Sequence, residues 1–395
     1  MFNFVALALL VFELTGTGVG VAGVVAAEIA PVLLLAPVAG AVVDRFPRVR
    51  VMVVADVVRV VLALLLIPAQ SSVAAVYALA FGLSAATVFF NPAASSTVPA
   101  VVGDDELITA NGGIWTAAVL SQIVLAPVAA AVASAFGFGV AFALNAASYA
   151  ASAAVLRGLA VTGAAPEAAR WRWGRSVREG ARRLATDRLL RALAGAQLLA
   201  ALSAGATSAL LVVLAQERLD VPKAQFGVLF AAIGVGAAAG PLLLRRFVRD
   251  PKRPAVVFGA FALRGVVDVA LALVRSLTAA LGALVAYGLG TSTGSVTFNS
   301  LVQSAVPQDF RGRVFATFDL LWQLGRLASL AAGGLVADAL GVGAVYYLGG
   351  VLLLLAALLG LGQVRAGDLG TAAEVVVDQR VDDDRLGLGP GDPIG

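Results

Sequence analysis

The feature that most constrains this chain is a succession of apolar runs, each about as long as one bilayer crossing. They fall near 18–43, 51–69, 72–91, 112–136, 138–157, 191–216, 224–244, 255–275, 277–299, 314–339 and 341–363. A helix needs about 20 apolar residues to cross the hydrocarbon core, so these eleven runs predict eleven spans. Lipid offers no partner to a backbone amide, and long apolar runs satisfy their own amides as helices. The expected fold class is therefore all-α integral membrane. Composition agrees: 13% of the residues are charged and 60% hydrophobic, whereas a soluble domain carries about 25% charged residues.

Ahead of these runs stands MFNFVALALLVFEL, residues 1–14. It is apolar, but 14 residues of helix cover only about 21 Å of a core about 30 Å thick. It lacks the basic flank of a signal peptide. The expectation is a first span, truncated in this chain, which brings the number to twelve.

Basic residues cluster in alternate loops. Arg45, Arg48 and Arg50 follow span 2; Arg170, Arg172, Arg175, Arg178, Arg182, Arg183 and Arg188 fill the centre; Arg245, Arg246, Arg249, Lys252 and Arg253 follow span 8; Arg311 and Arg313 precede span 11. Counting the short first span, all of these lie on one side, and Arg218, Lys223 and Arg275 are the exceptions opposite. Loops rich in Lys and Arg stay in the cytoplasm, which makes both termini cytoplasmic.

The chain also repeats itself. GLSAATVFFNPAASSTVP at 82–99 aligns with GTSTGSVTFNSLVQSAVP at 290–307, with Gly82/Gly290, Ser84/Ser292, Val88/Val296, Phe90/Phe298, Asn91/Asn299, Ser96/Ser304, Val98/Val306 and Pro99/Pro307 identical. Each copy ends the fourth span of its half, on the same side. This predicts a parallel duplication of six helices plus six, a design in which the substrate path runs between the halves. The expected organisation is 1–157 as the first half, 158–190 as a basic cytoplasmic central loop, 191–364 as the second half and 365–395 as a disordered cytoplasmic tail. RWRWGRSVREGARRL in the central loop reads as an amphipathic helix for the anionic inner leaflet.

Chemistry is bounded by absences. The chain has neither Cys nor His, so thiolate sites and the usual metal ligand are missing, and no metal site or cofactor is expected. GVGVAG at 18–23 fits a dinucleotide fingerprint, but that motif needs a strand before it. GTSTG at 290–294 fits a nucleophile elbow without a histidine to serve it. The net charge of +4 gives no reason to expect nucleic acid. An enzyme or receptor is disfavoured, since no large extramembrane segment is present.

Twelve spans in two halves, a charged loop between spans 2 and 3 and a long basic centre resemble the major facilitator superfamily. Its loop signature is matched by Gly40, Asp44, Arg45 and Arg48, with Pro47 and Val49 departing from it. APVAGAVVDRFPRVRVM and VPQDFRGRVFATFD resemble a bacterial efflux branch that includes the enterobactin exporter. The resemblance implies a monomeric secondary transporter in the bacterial cytoplasmic membrane. The implied partners are a small-molecule substrate, protons and the lipid bilayer. It also implies that Asp44 meets the start of span 11 when the cytoplasmic side is shut, with the loop arginines adding ion pairs across the halves. A plain inside anchor is the alternative, and Leu244 in the matching loop of the second half leaves one such latch. In span 5, Gly113, Ala126, Pro127, Ala130 and Ala131 echo an antiporter pattern, with Pro127 as a kink; ordinary small-residue packing explains them equally. The charged pattern that the family carries in span 4 is absent.

Ionisable residues inside spans are costly and point to function. Asp56 with Arg59 on span 3, and Arg264 with Asp268 on span 9, read as structural neutralised pairs in related places, Arg59 aligning with Asp268 within about a residue. Glu13 lies near the outer end of span 1. Glu28 on span 2, with Asp319, Gln323 and Arg326 on span 11, faces the boundary between the halves and suits proton coupling. Asn111, Trp115, Gln197 and Trp322 are candidate cavity residues. The expected function is proton-coupled efflux of small amphipathic molecules, drug-like or siderophore-like. A facilitator or lipid-moving protein of the same fold is the alternative.

Overall fold

The structure of the chain, a computed structural model, describes residues 2–102, 106–159, 173–248 and 253–362. Among them run α1 (Phe2–Thr15), α2 (Gly18–Arg45), α3 (Arg48–Ala69), α4 (Val73–Val101), α5 (Leu107–Phe136), α6 (Phe138–Arg157), α7 (Trp173–Thr186), α8 (Arg188–Ala209), α9 (Leu211–Glu217), α10 (Phe226–Phe247), α11 (Pro254–Leu273), α12 (Leu277–Ala305), α13 (Gln308–Leu340) and α14 (Val342–Gly362). Ten of these are long and apolar enough to cross a membrane. The fold is the all-α, multi-pass one expected. α12 has the length, at 29 residues, but is not among the ten; GTSTGS at 290–295 dilutes its apolar run.

The two sets of six pair in the same way. α3 packs on α4 and α2 on α4, as α11 packs on α12 and α10 on α12. α3 also packs on α6. On the other side α11 meets α14 through two glycines, where a Cβ on Gly265 would lie 2.9 Å from the Gly350 carbonyl. The α5–α6 and α13–α14 corners each turn on a glycine at positive φ, Gly137 at 84° and Gly341 at 83°. A side chain is strained in that conformation.

α1 joins the halves. Residues 5–11 are all buried, as expected of a helix that is apolar all round and sits in a core. Val5, Ala8 and Leu9 pack with residues of α5, α9 and α10. Ala6, Leu7, Leu10 and Val11 pack with α2, α4 and α6.

Two expectations are revised. The run at 191–216 is not one helix: it divides at Leu210, whose ψ of 12° leaves the helical range. No Gly or Pro marks the break. Residues 210–215 are buried together in the core near α1, so packing imposes it. The central helix α7 does not simply lie on the leaflet. Glu179 pairs with Arg313 of α13 at 2.8 Å, and a Cβ on Gly180 would collide with Thr317 and the Arg313 carbonyl. Leu184 is buried among α8, α11, α12 and α13. Residues 160–172 and the tail 365–395 lie outside the described residues.

Candidate functional site

The halves meet along α2 with α13 and along α5 with α10. At the end away from the arginine loops, α2 begins and α13 finishes. The first amides of a helix lack intrahelical partners and carry partial positive charge, and the last carbonyls carry the opposite. Asp338, near the end of α13, is thus at the repelling end of its own helix and turns to the attracting end of another. Its Oδ1 accepts from the Gly18 N–H at 2.6 Å and its Oδ2 from the Val19 N–H at 3.2 Å. The Thr17 hydroxyl completes the cap by accepting from the Gly20 N–H at 3.1 Å. A Cβ on Gly18 would lie 2.8 Å from the Ala337 side chain, so glycine permits this approach. Glu13 of α1 pairs with Lys223, just before α10. Gly227 of α10 abuts the backbone of Ala126 and Pro127, and α5 runs unbroken through Pro127. At the last residue of α9, partial burial and the nearby Asp338 carboxylate push the Glu217 carboxyl above its ordinary value.

The opposite end differs. A side chain at Gly40 would meet nothing within 4 Å. Asp44 and Arg45 are exposed and form no ion pair among the described residues. Arg48 donates to the Ser96 carbonyl at 2.7 Å, inside its own half. The expected ion pairs from the loop to the second half are not formed among the described residues.

The two charged pairs behave differently. Arg59 and Asp56 form an ion pair at 2.7 Å, and the guanidinium lies 4.2 Å from the Phe90 ring centre and 4.8 Å from that of Tyr149. Arg264 and Asp268, expected to neutralise each other likewise, are not within ion-pair distance. Arg264 donates through Nη2 to the Tyr287 hydroxyl at 3.2 Å, and Asp268 accepts from Ser203 of α8 at 3.1 Å. Side chains on a helix lean toward its N-terminus. The long arginine at 59 therefore reaches back to an acid one turn earlier, whereas the arginine at 264 leans away from an acid one turn later. Acid-first order is the favourable one for such pairs.

Arg264 instead borders a cavity of about 370 Å³ between α8, α11, α12 and α13, together with Gln197, Phe298, Asn299, Asp319 and Trp322. Gln197, Asp319 and Trp322 border it together. Arg264 and Asn299 were not placed there by sequence. The signal for Asn299 was its identity with Asn91 in the repeat: both are exposed, and a polar side chain exposed within a span faces water more readily than lipid. Glu28 and Arg326 interact electrostatically across the α2–α13 boundary, and Arg326 also senses Tyr287. Gln323 keeps a buried Oε1 without a partner. Trp115 is half-exposed on α5 and does not border this cavity. The Asn111 side chain lies outside the described residues. A groove of about 590 Å³ among α2, α3 and α4 has Arg50 as its one charged neighbour, and the exposure of Val54 and Val58 sets it on the lipid side.

GVGVAG and GTSTG both lie inside helices, which disposes of the dinucleotide and nucleophile readings. Among the described residues, no group of three or more acids gathers to hold a metal.

A family model described as Major Facilitator Superfamily matches residues 1–330 and 193–373. No curated protein matches the chain. Among solved structures, a bacterial homologue of the iron transporter ferroportin in an inward-facing state is 16% identical with a TM-score of 0.72, covering 92% of this chain and 94% of its own. The nucleoside transporter NupG is 13% identical at 0.73, covering 92% and 95%. A POT peptide transporter is 15% identical at 0.74, covering 92% and 91%. At such identities the likeness is one of fold.

Proposed function

The chain belongs to the Major Facilitator Superfamily and is a membrane transporter of that type, and from this premise we propose that it is a secondary active exporter of small amphipathic molecules, driven by protons. It would sit in a bacterial cytoplasmic membrane with both termini inside. The observation that supports the reading is that Glu28 of α2 and Arg326 of α13 lie within electrostatic reach of each other across the two halves, without an ion-pair contact. Burial favours the neutral form of a carboxyl and a nearby cation favours the charged form, so its proton affinity changes when carboxyl and cation part. Rocking of the halves parts them. Asp319, exposed to the cavity on α13, is the second acid of the cycle.

Transport into inverted vesicles, with and without a proton gradient, tests this. Glu28→Gln and Asp319→Asn are expected to abolish gradient-driven uptake while leaving substrate exchange. Uphill uptake with normal pH dependence in both variants, or uptake indifferent to an uncoupler in the parent protein, would make the protein a facilitator.

Two latches at opposite ends set the alternation. Asp338 on the α2 N-terminus holds the outer end shut, and Asp44 is the counterpart that engages when the cytoplasmic end shuts. A helix-end carboxylate contributes about 1 kcal/mol, so each neutral variant is expected to shift the two-state population roughly fivefold. The chain has no native cysteine, so a single Cys at Ala22, buried beside Gly334, reports outer opening by its thiol-labelling rate. Asp338→Asn speeds labelling and Asp44→Asn slows it; equal rates in both would remove the latch assignment.

A further inference from the structure

We infer that the recess beside Arg264 is an anion-recognition site for a small monocarboxylic acid with an apolar ring. This rests on the reading that the cavity belongs to the transport path. Arg264 is 6% exposed, and its Nε has no partner. A guanidinium carries five donors in a planar fork that matches a carboxylate. One of Arg264's donors is taken by Tyr287, whose ring centre also lies 5.0 Å from the guanidinium. The nearest acid on its own helix, Asp268, attracts it electrostatically but is hydrogen-bonded to Ser203 and makes no ion pair with it. A cation left short of partners within the membrane is costly. The same residue type in the other half, Arg59, has an acid at 2.7 Å and two aromatic rings.

The backbone is shaped to bring Arg264 to the cavity. A Cβ on Gly290 would lie 2.9 Å from the Arg264 Cγ, so the glycine lets the arginine pass along α12. This gives a use to the GTSTG stretch, whose Gly290, Thr291 and Gly294 border the cavity. Opposite the charge stand Phe298 and Phe318, in edge-to-face contact with centres 5.0 Å apart, and Trp322. These rings suit a flat apolar body. A volume of about 370 Å³ is near the lower end of ligand pockets, which favours a single-ring acid over a siderophore. Asp319 in the same cavity works against a second negative charge on the ligand.

The test uses the full chain in lipid nanodiscs and two probes that differ only in the head group, 3-phenylpropionate and phenethylamine, titrated calorimetrically. The acid is expected to bind at least tenfold tighter than the amine. Arg264→Gln removes that preference and Arg264→Lys keeps part of it. Because Arg264→Gln leaves Asp268 alone, the charge-neutral double variant Arg264→Gln/Asp268→Asn is run beside it, with its thermal midpoint checked, and the same loss is expected. Equal binding of both probes, or undiminished acid binding in the folded double variant, overturns the inference. If the vesicle assay shows gradient-driven uptake of other compounds while neither probe binds, this inference falls and the exporter reading stands. Arg264-dependent acid binding without gradient-driven uptake of anything gives the reverse.

Discussion

The charged pair of α3 and that of α11 occupy related places in a duplicated fold and have taken opposite forms. The offset that carries Gly82 onto Gly290 carries Asp56 onto Arg264, so the charge at the equivalent position is inverted. In α3 the acid comes first, three residues before its arginine, and the pair closes at 2.7 Å. In α11 the arginine comes first, four residues before its acid, and the two turn to Tyr287 and Ser203. Both arginines are equally buried. The difference lies in what each is satisfied by: Arg59 by an acid of its own helix and two rings, Arg264 by the hydroxyl and ring of Tyr287 and the edge of a cavity. In the duplicated scaffold the order of the two residues is reversed, and the arginine of α11 borders a cavity.

The comparison breaks most readily at the closed pair. Asp56→Asn leaves a buried guanidinium uncompensated, and loss of one partner of a buried ion pair costs about 3–5 kcal/mol. Thermal unfolding in detergent is expected to show the largest drop here. Arg264→Gln is expected to cost less than half as much in the same assay, since no ion pair is lost; an equal drop would mean that the pairs do not differ.

A graft sharpens the contrast. Arg264→Asp with Val267→Arg and Asp268→Val rebuilds in α11 the acid-first, three-residue spacing of α3, on a site where Phe298 already matches Phe90. The thermal midpoint is expected to stay near that of the parent, while binding of 3-phenylpropionate falls at least tenfold. Retained binding would detach recognition from Arg264. The smallest effect is expected from Tyr149→Leu, which removes one of the two rings flanking Arg59. A cation–ring contact contributes about 0.5–2 kcal/mol, so a modest fall in the midpoint with unchanged ligand binding is the anticipated result.

Much of this was legible in the sequence. Hydropathy located the spans, and the repeat at 82–99 and 290–307 gave the duplication. The break at Leu210 was not legible, because nothing in LVVLAQE opposes a continuous helix and the interruption comes from surrounding packing. Asp338 has no place among the candidates read from the sequence. Its position at the end of a helix, where the dipole disfavours it, was the available hint that its partner lay on another element. Arg264 was assigned to Asp268 on helical spacing alone, and spacing does not register which way a long side chain leans.

What the sequence determined by itself is the membrane class, the twelvefold pattern and its duplication. These follow from hydropathy and charge along short stretches, which lipid and water read locally. The tertiary structure decided which acid caps which helix and which arginine borders a cavity. Those outcomes turn on contacts between residues some 320 positions apart, as in Gly18 with Asp338, and on helix faces whose meeting is fixed only when the two halves are packed.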